Sequence, residues 1–115
     1  MGRRHIELGQ RGEAMVASAY EARGYRVVAR NWRAGRVGEI DLVLCTGRLL
    51  VVCEVKTRST AAFGLPAEAV DRRKQAKVRA VTAAFLAAHP FRPAGIRFDV
   101  ASVLGERIEI IEGAF

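Results

Sequence analysis

The chain has 115 residues, of which 50% are hydrophobic and 27% are charged. This length suits one domain, residues 1–115, with a modest core, and the balance of apolar and charged residues excludes a largely disordered chain. The 19 Lys and Arg residues against 12 Asp and Glu residues give a formal net charge of +7, which favours a polyanionic partner, although an Arg-rich proteome would produce the same bias.

The sequence carries no signal of membrane targeting. Its basic N-terminus has no apolar segment behind it, and no apolar run approaches the roughly 18 residues of a membrane span. We therefore expect a cytoplasmic protein without a membrane partner. The two cysteines, Cys45 and Cys53, lack the spacing of a zinc site and are expected to be small buried hydrophobic residues.

The first predicted elements are a basic arm, a helix and a strand. Residues 1–8 show no clear pattern, so we expect either a loose arm that contacts phosphates or a frayed terminus. Apolar residues at helical spacing predict a helix from Gln10 to Arg23, which Gly24 ends. Glu13 lies in its first turn, where a carboxylate complements the helix dipole. A strand follows from Tyr25 to Trp32.

The centre of the sequence predicts a β-hairpin. Two runs with strong β character, Glu39 to Cys45 and Leu49 to Lys56, flank the pair Gly47 and Arg48. Glycine at the first central position favours a two-residue type II′ turn. This turn fixes which residues of the two strands face each other.

Counting back from the turn sets Asp41 opposite Glu54 on one face, with Lys56 beside them and Glu39 opposite Lys56. Opposed carboxylates, with Cβ atoms about 4.5 to 5.5 Å apart, are destabilising, so something must compensate them. A four-residue loop would keep these residues together, whereas a three-residue loop would put Asp41 on the other face. The apolar residues expected on that other face are Leu42, Leu44, Val51, Cys53 and Val55.

Turn-forming residues from Thr57 to Pro66 predict a loop that includes Arg58 and either contacts a ligand or only connects two elements. A second helix is predicted from near Pro66 to about His89. Two further strands, Ile96 to Leu104 and Arg107 to Ile111, follow. Together these elements predict a mixed α/β layer with helices packed on a central sheet.

Two charged positions in this second half have alternative interpretations. Lys74 falls on the apolar stripe of the second helix, so its ammonium either reaches the carboxylates or a phosphate, or extends to solvent. Asp99 is either a further ligand or, as we favour, the partner of Arg97 or Arg107 in an ion pair. The remaining basic residues of the helix form either a solvated face or a surface for phosphates: Arg72, Arg73, Lys77 and Arg79.

The grouping of Asp41, Glu54 and Lys56 has a chemical interpretation. Mg²⁺ is held by one or two carboxylates together with waters and substrate phosphates, and it activates water for phosphodiester hydrolysis. Asp41 and Glu54 suit Mg²⁺ or Mn²⁺, with the Val55 carbonyl as a possible third oxygen ligand. Lys56 would orient the water or neutralise a phosphate oxygen.

This grouping resembles the P-D-(D/E)-x-K core of restriction-endonuclease-like nucleases, with Ile40 in place of the Pro. The whole chain resembles the YraN-like family of small bacterial proteins. The resemblance runs along nearly the whole chain: G-Q-R-G-E-A at Gly9 to Ala14, G-Y at Gly24 and Tyr25, N-W-R at Asn31 to Arg33, G-E-I-D-L-V at Gly38 to Val43, E-V-K-T-R at Glu54 to Arg58, F-G-L-P-A-E-A-V at Phe63 to Val70, Lys74, R-F-D-V at Arg97 to Val100 and the terminal A-F. It implies a nuclease-type fold similar to that of archaeal Holliday junction resolvases, in which a Glu of the first helix, here Glu13, assists the metal site.

Three hypotheses follow. The first is a metal-dependent endonuclease that acts on structured or damaged DNA, as a homodimer if it cuts two strands symmetrically. The second is a nucleic-acid-binding module with little or no catalysis, and the third is a structural adaptor with a salt-bridge cluster. The complete Asp, Glu and Lys set favours the first over the third. The residues assigned to nucleic-acid contact are Arg58, Arg72, Arg73, Lys74 and Lys77.

Overall fold

Two helices lie on opposite faces of a five-stranded sheet in the computed structural model, which describes residues 2–58 and 70–115. The elements are α1 (Gly2–Ala22), β1 (Arg26–Ala34), β2 (Gly38–Thr46), β3 (Leu49–Arg58), α2 (Arg72–Ala88), β4 (Gly95–Leu104) and β5 (Arg107–Ile111). This arrangement confirms the predicted mixed α/β class and is consistent with a nuclease-like fold. Neither of the helices within these residues is long and apolar enough to cross a membrane.

The strands lie in the order β1-β2-β3-β4-β5. The pairs β1–β2, β2–β3 and β4–β5 are antiparallel, whereas β3 and β4 are parallel. A parallel pair needs a crossover connection, and α2 lies between these two strands in the chain. The sheet is therefore two antiparallel parts joined through one parallel pair.

Each face of the sheet has its own core. The core under α1 contains the side chains Val16, Ala17, Tyr20, Leu42, Leu44, Val51, Cys53, Ala101 and Val103. The core under α2 contains Ile40, Val43, Leu50, Val52, Val78, Val81 and Phe85. Alternation along β3 assigns successive residues to the two cores, so β3 is buried on both sides, as expected for a strand with a parallel neighbour.

The predicted hairpin register is confirmed. Thr46 pairs with Leu49, and the pairing continues to Leu42 opposite Cys53. Gly47 has a φ of 55°. Arg48 is not among the residues with positive φ, and this combination fits the predicted type II′ turn.

The cysteines are also placed as predicted. Cys45 and Cys53 are free and buried. Cys53 belongs to the α1 core, whereas Cys45 lies in a cavity of about 320 Å³ beside Phe85 of α2. The two thiols therefore lie on opposite faces of the sheet.

Two predicted helix boundaries are wrong. The segment 1–8, expected to be either a loose arm or a frayed terminus, is helical in its backbone from Gly2 onward, because Arg, Glu, Leu and Gln favour the helix. The second helix begins at Arg72 and not near Pro66. Asp71 caps it in an extended conformation, and the Asp71 carboxylate accepts the Lys74 N–H at 2.9 Å. Pro66, like most of the predicted loop, lies outside the described residues.

A buried carboxylate ties α1 to β4 and to the C-terminal turn. Asp99 is fully buried and accepts hydrogen bonds from the Tyr20 hydroxyl at 2.7 Å, from Arg97 Nε and Nη2 at 2.9 Å each, and from the Gly113 N–H at 3.0 Å. Burial and the adjacent Asp99 raise the pKa of the Tyr20 hydroxyl, which therefore stays protonated. The ion pair with Arg97 that the sequence favoured is confirmed.

Replacing Asp99 tests this network. Asp99→Ala leaves the Tyr20 hydroxyl and the Arg97 guanidinium without their shared partner, and we expect it to lower the free energy of unfolding by about 3 to 5 kcal/mol. Tyr20→Phe leaves three donors on Asp99 and should cost about 1 kcal/mol. Urea unfolding of both variants measures the difference, and equal costs would contradict the assigned role of Asp99.

Candidate metal centre

The strands β2 and β3 separate at one end of the sheet. Their last paired residues are Leu42 and Cys53. Beyond this point, Gly38 to Ile40 pair only with β1, and Glu54 to Arg58 pair only with β4. A cleft therefore opens between the two strands, and we call it the interstrand cleft. Its walls are residues 38–41 of β2 and residues 54–58 of β3.

Asp41 and Glu54 lie together where this cleft begins. The Val55 N–H donates to Asp41 Oδ2 at 2.8 Å. The Asp41 N–H approaches Glu54 Oε2 at 3.4 Å, close to the limit of a hydrogen bond. Carboxylate oxygens thus accept main-chain N–H groups that carbonyl oxygens accept elsewhere in a sheet. Val55, predicted as a carbonyl ligand, contacts Asp41 through its amide nitrogen.

The pleat of β2 is interrupted beside Asp41. Ile40 and Val43 both belong to the α2 core, although residues three apart in a regular strand point to opposite faces. The facing part of β1 is also irregular, because Asn31 has a φ of 47°. The pairs on either side of it, Arg30 with Leu42 and Trp32 with Ile40, place Asn31 across from Asp41.

This interruption explains how a residue of α1 comes near the pair. Glu13 lies on the α1 side, yet the charges of Asp41 and Glu39 act on it. Burial raises the pKa of Glu13, a hydrogen bond with the Asn31 side chain opposes this rise, and the two carboxylates add to it. The preceding residue, Gly12, lies so close to β3 that a Cβ atom there would overlap Thr57 Oγ1.

Asn31 is the residue of this site that the sequence reasoning missed. Among residues 2–58 and 70–115, it is the one non-glycine residue with a positive φ. Asn tolerates this conformation better than most residues, so an Asn inside a predicted strand is a signal that was available. Its side chain contacts Glu13 and its backbone lies across from Asp41.

The two central carboxyl groups resist ionisation. Only 2% of the Glu54 side chain is exposed, and burial, followed by the charge of Asp41, raises the pKa of Glu54 to about 7. Burial also raises the pKa of Asp41, opposed by the Val55 N–H and by the charges of Lys74 and Lys56. The charge of Asp41 disfavours ionisation of Glu54, and a cation between the two acids would favour the ionised form of both.

Two lysines supply positive charge beside the pair. Lys74 Nζ lies 3.3 Å from Glu54 Oε1, so of the two interpretations of Lys74 the structure places its ammonium at the carboxylate. Lys56 lies two residues beyond Glu54 on β3 and hence on the same face. Arg72, Arg73 and Lys77 are exposed in the first turns of α2, next to Lys74.

Arg58, the last predicted contact residue, ends β3 at the far end of the cleft wall. It lines a cavity of about 150 Å³ with Arg11, Met15 and Val103, among other residues. At about 3.3 Å per residue, Arg58 lies roughly 13 Å from Glu54 along the strand. The predicted basic residues are thus distributed over two elements on either side of the carboxylates.

The donor set fits a hard cation with an open coordination sphere. No group of three or more His, Cys, Asp or Glu residues in the described part of the chain is close enough to hold a metal ion. Mg²⁺ does not require one, because it keeps several waters and commonly uses one or two carboxylates. Asp41 and Glu54 meet this requirement, and an ion between them would relieve their mutual repulsion.

Comparison with known proteins identifies the family. The model of the uncharacterised protein family UPF0102 matches residues 12–103. The chain belongs to UPF0102. This is the YraN family that the sequence motifs indicated. The UPF0102 match spans both walls of the interstrand cleft and all of α2.

Several UPF0102 relatives match over nearly their full length. A UPF0102 protein of Frankia alni is 48% identical, over 94% of this chain and 93% of the relative. One of Parafrankia sp. is 49% identical over 94% and 95%. One of Moorella thermoacetica is 41% identical over 93% of each chain. This chain is therefore similar in extent as well as in sequence to its relatives.

The raised pKa of Glu54 predicts that the stability of the fold decreases as the pH rises. Its folded-state pKa of about 7 lies above the ordinary value of 4.5, so the stability that the protonated group contributes is complete below pH 4.5 and is lost as the pH rises to 7. In EDTA at pH 8, Glu54→Gln should raise the free energy of unfolding by on the order of 1 to 3 kcal/mol. The difference from wild type should vanish near pH 4.

Urea unfolding across this pH range measures the effect. The exposed Glu109 of β5 provides the control, because Glu109→Gln removes a carboxylate that is not buried. A difference between wild type and Glu54→Gln that stays constant with pH would contradict the assigned ionisation.

The backbone of Asn31 leads to a separate prediction. Asn31→Gly keeps the left-handed conformation available, whereas Asn31→Ala puts a Cβ atom in it without a compensating polar group. We expect Asn31→Ala to cost about 1 to 2 kcal/mol of unfolding free energy and Asn31→Gly clearly less. If the two variants unfold at the same urea concentration, the side-chain contact with Glu13 and not the backbone explains the residue.

Proposed function

We propose that this protein is a metal-dependent endonuclease that hydrolyses phosphodiester bonds in structured or damaged DNA. The observation that carries the proposal is the pair formed by the half-buried Asp41 and the buried Glu54 at the start of the interstrand cleft, with Lys56 on the same wall. A protein that suppresses the ionisation of two adjacent carboxyl groups gains from a cation that binds between them. Perturbed acids in a cleft are also a recurrent mark of functional sites.

Asp41 and Glu54 would hold Mg²⁺ or Mn²⁺ through their carboxylate oxygens. Such an ion stabilises charge on the phosphoryl oxygens and lowers the pKa of an attacking water. The Val55 carbonyl remains a proposed third ligand. This donor set of two acids and one main-chain oxygen leaves room for waters and a substrate phosphate.

The other residues of the site act on the substrate in the proposal. Lys56 neutralises a non-bridging phosphate oxygen or orients the attacking water. Glu13, whose pKa burial raises, would exchange a proton with water on the α1 side. Arg58 and the exposed cations at the start of α2 would contact phosphates of the DNA backbone.

A second candidate is a DNA-binding module with the same fold and little catalysis. The ion pair between Lys74 and Glu54 favours it, because an ammonium already compensates one of the two carboxylates. The formal charge of +7 supports both candidates equally. They differ in whether the carboxylates take up a divalent ion.

Cleavage assays with branched, nicked and single-stranded DNA distinguish the candidates. In Mg²⁺ or Mn²⁺, Asp41→Asn and Lys56→Ala should each lower the cleavage rate roughly 100-fold or more, because the first removes a ligand charge that holds the cation and the second removes positive charge that stabilises the transition state. Glu109→Gln, an exposed change on the edge strand β5, two strands away from β3, should leave the rate unaltered.

Cleavage that persists in Asp41→Asn and Lys56→Ala would show a contaminating nuclease or a different site. Binding without cleavage, with an affinity that falls steeply as salt is added, would support the second candidate. The same preparation gives the oligomeric state by light scattering, and a homodimer is expected if two strands are cut symmetrically. We also propose that the protein prefers branched DNA and that it is cytoplasmic.

A further inference from the structure

The ammonium of Lys74 lies beside a Glu54 oxygen that the proposed metal ion would need as a ligand. Its Nζ atom lies 3.3 Å from Glu54 Oε1, on the group that the proposed metal would use. The side chains differ sharply in exposure, 41% for Lys74 against 2% for Glu54. The ammonium therefore approaches a buried carboxylate from the solvent side.

The backbone of Lys74 is fixed while its side chain can move. Its N–H donates to the capping Asp71 at 2.9 Å, which holds residue 74 in the first turn of α2. The lysine stem carries a compact charge on four flexible carbons with three rotatable donors. The charge can consequently change partners without any change in the helix.

Electrostatics explains why a cation belongs at this place. The charge of Lys74 opposes the rise in the pKa of both Asp41 and Glu54, so the ammonium favours their ionised forms. A divalent ion bound to the same carboxylates would do this more strongly. Two cations cannot both lie against Oε1 of Glu54 without repelling each other.

We propose that Lys74 is a displaceable counterion: a divalent cation takes its place on Glu54, and the released ammonium then binds a phosphate of the substrate. This inference rests on the proposed function, because it requires a metal at Asp41 and Glu54. It goes further by giving one residue two successive partners. Metal loading and DNA affinity are coupled through Lys74.

The coupling has an unusual experimental signature, since one substitution changes two affinities in opposite directions. Lys74→Gln removes the competing cation, so the metal should bind roughly two- to fivefold more tightly, a range typical of ion pairs that solvent screens through an exposed lysine. The same substitution removes a phosphate contact. With metal present, DNA should bind more weakly, and the slope of affinity against salt should fall by about 1.

Lys77→Gln is the matched control. Lys77 is exposed and lies one turn further along α2. Its replacement should leave the metal affinity unaltered and lower the DNA affinity whether or not metal is present. Lys74→Gln, in contrast, should lower the DNA affinity much less in EDTA than in Mn²⁺, because in EDTA the wild-type ammonium is still paired with Glu54.

Calorimetric titration with Mn²⁺ in the absence of DNA measures the first affinity for wild type, Lys74→Gln, Lys74→Arg, Lys77→Gln and Asp41→Asn. Fluorescence anisotropy with a phosphorothioate DNA that resists cleavage measures the second, in Mn²⁺ and in EDTA. Lys74→Arg keeps the charge and should retain the weaker metal binding of wild type. Far-UV circular dichroism verifies that each variant is folded.

The outcomes separate the inference from the function on which it rests. If wild type binds Mn²⁺ through Asp41 and Lys74→Gln binds it no more tightly, the counterion role is wrong and the metal site stands. If wild type binds no Mn²⁺, or if Asp41→Asn binds it equally well, both fail. Tighter metal binding together with a DNA deficit confined to Mn²⁺ supports the inference.

Discussion

The separation of β2 from β3 beyond Leu42 and Cys53 is the constraint on which the site depends. A regular ladder would have continued through Asp41 and Glu54 and placed main-chain carbonyls on the N–H groups that these acids now contact. Because each strand leaves with a different neighbour, its backbone stays paired while its side chains enter the interstrand cleft. The sheet thereby brings two acids together while each strand stays paired along its other edge, and unpaired buried backbone groups would be costly.

The same geometry sets function against stability. Burying two adjacent carboxyl groups raises their pKa values and lowers stability wherever the solvent pH would ionise them. The fold offsets this elsewhere, through cores on both faces and through Asp99, a buried acid with four donors. The two buried acids differ in their cationic partners, because the Arg97 side chain beside Asp99 is mostly buried, whereas the Lys74 side chain beside Glu54 is 41% exposed.

The sequence was sufficient for the hairpin, since a glycine turn fixes the register and the register fixes which side chains are neighbours. It was insufficient for the cleft, because the point at which two strands separate depends on their outer neighbours, β1 and β4, which no local pattern specifies. The direction in which the Lys74 side chain points depends on where α2 begins. The sequence did not reveal this start, because the capping role of Asp71 was missed. Asn31 was missed because period-two alternation assumes a regular pleat.

The contact of Gly12 with Thr57 affects the position of the next residue, Glu13. The backbone of α1 at Gly12 packs directly against the Thr57 side chain of β3, and no side chain of α1 lies between them. A larger residue at position 12 would displace either the Thr57 side chain or the middle of α1. If the helix moves, Glu13 moves away from Asp41 although neither acid has changed. The position of the Glu13 carboxylate therefore depends on the glycine that precedes it.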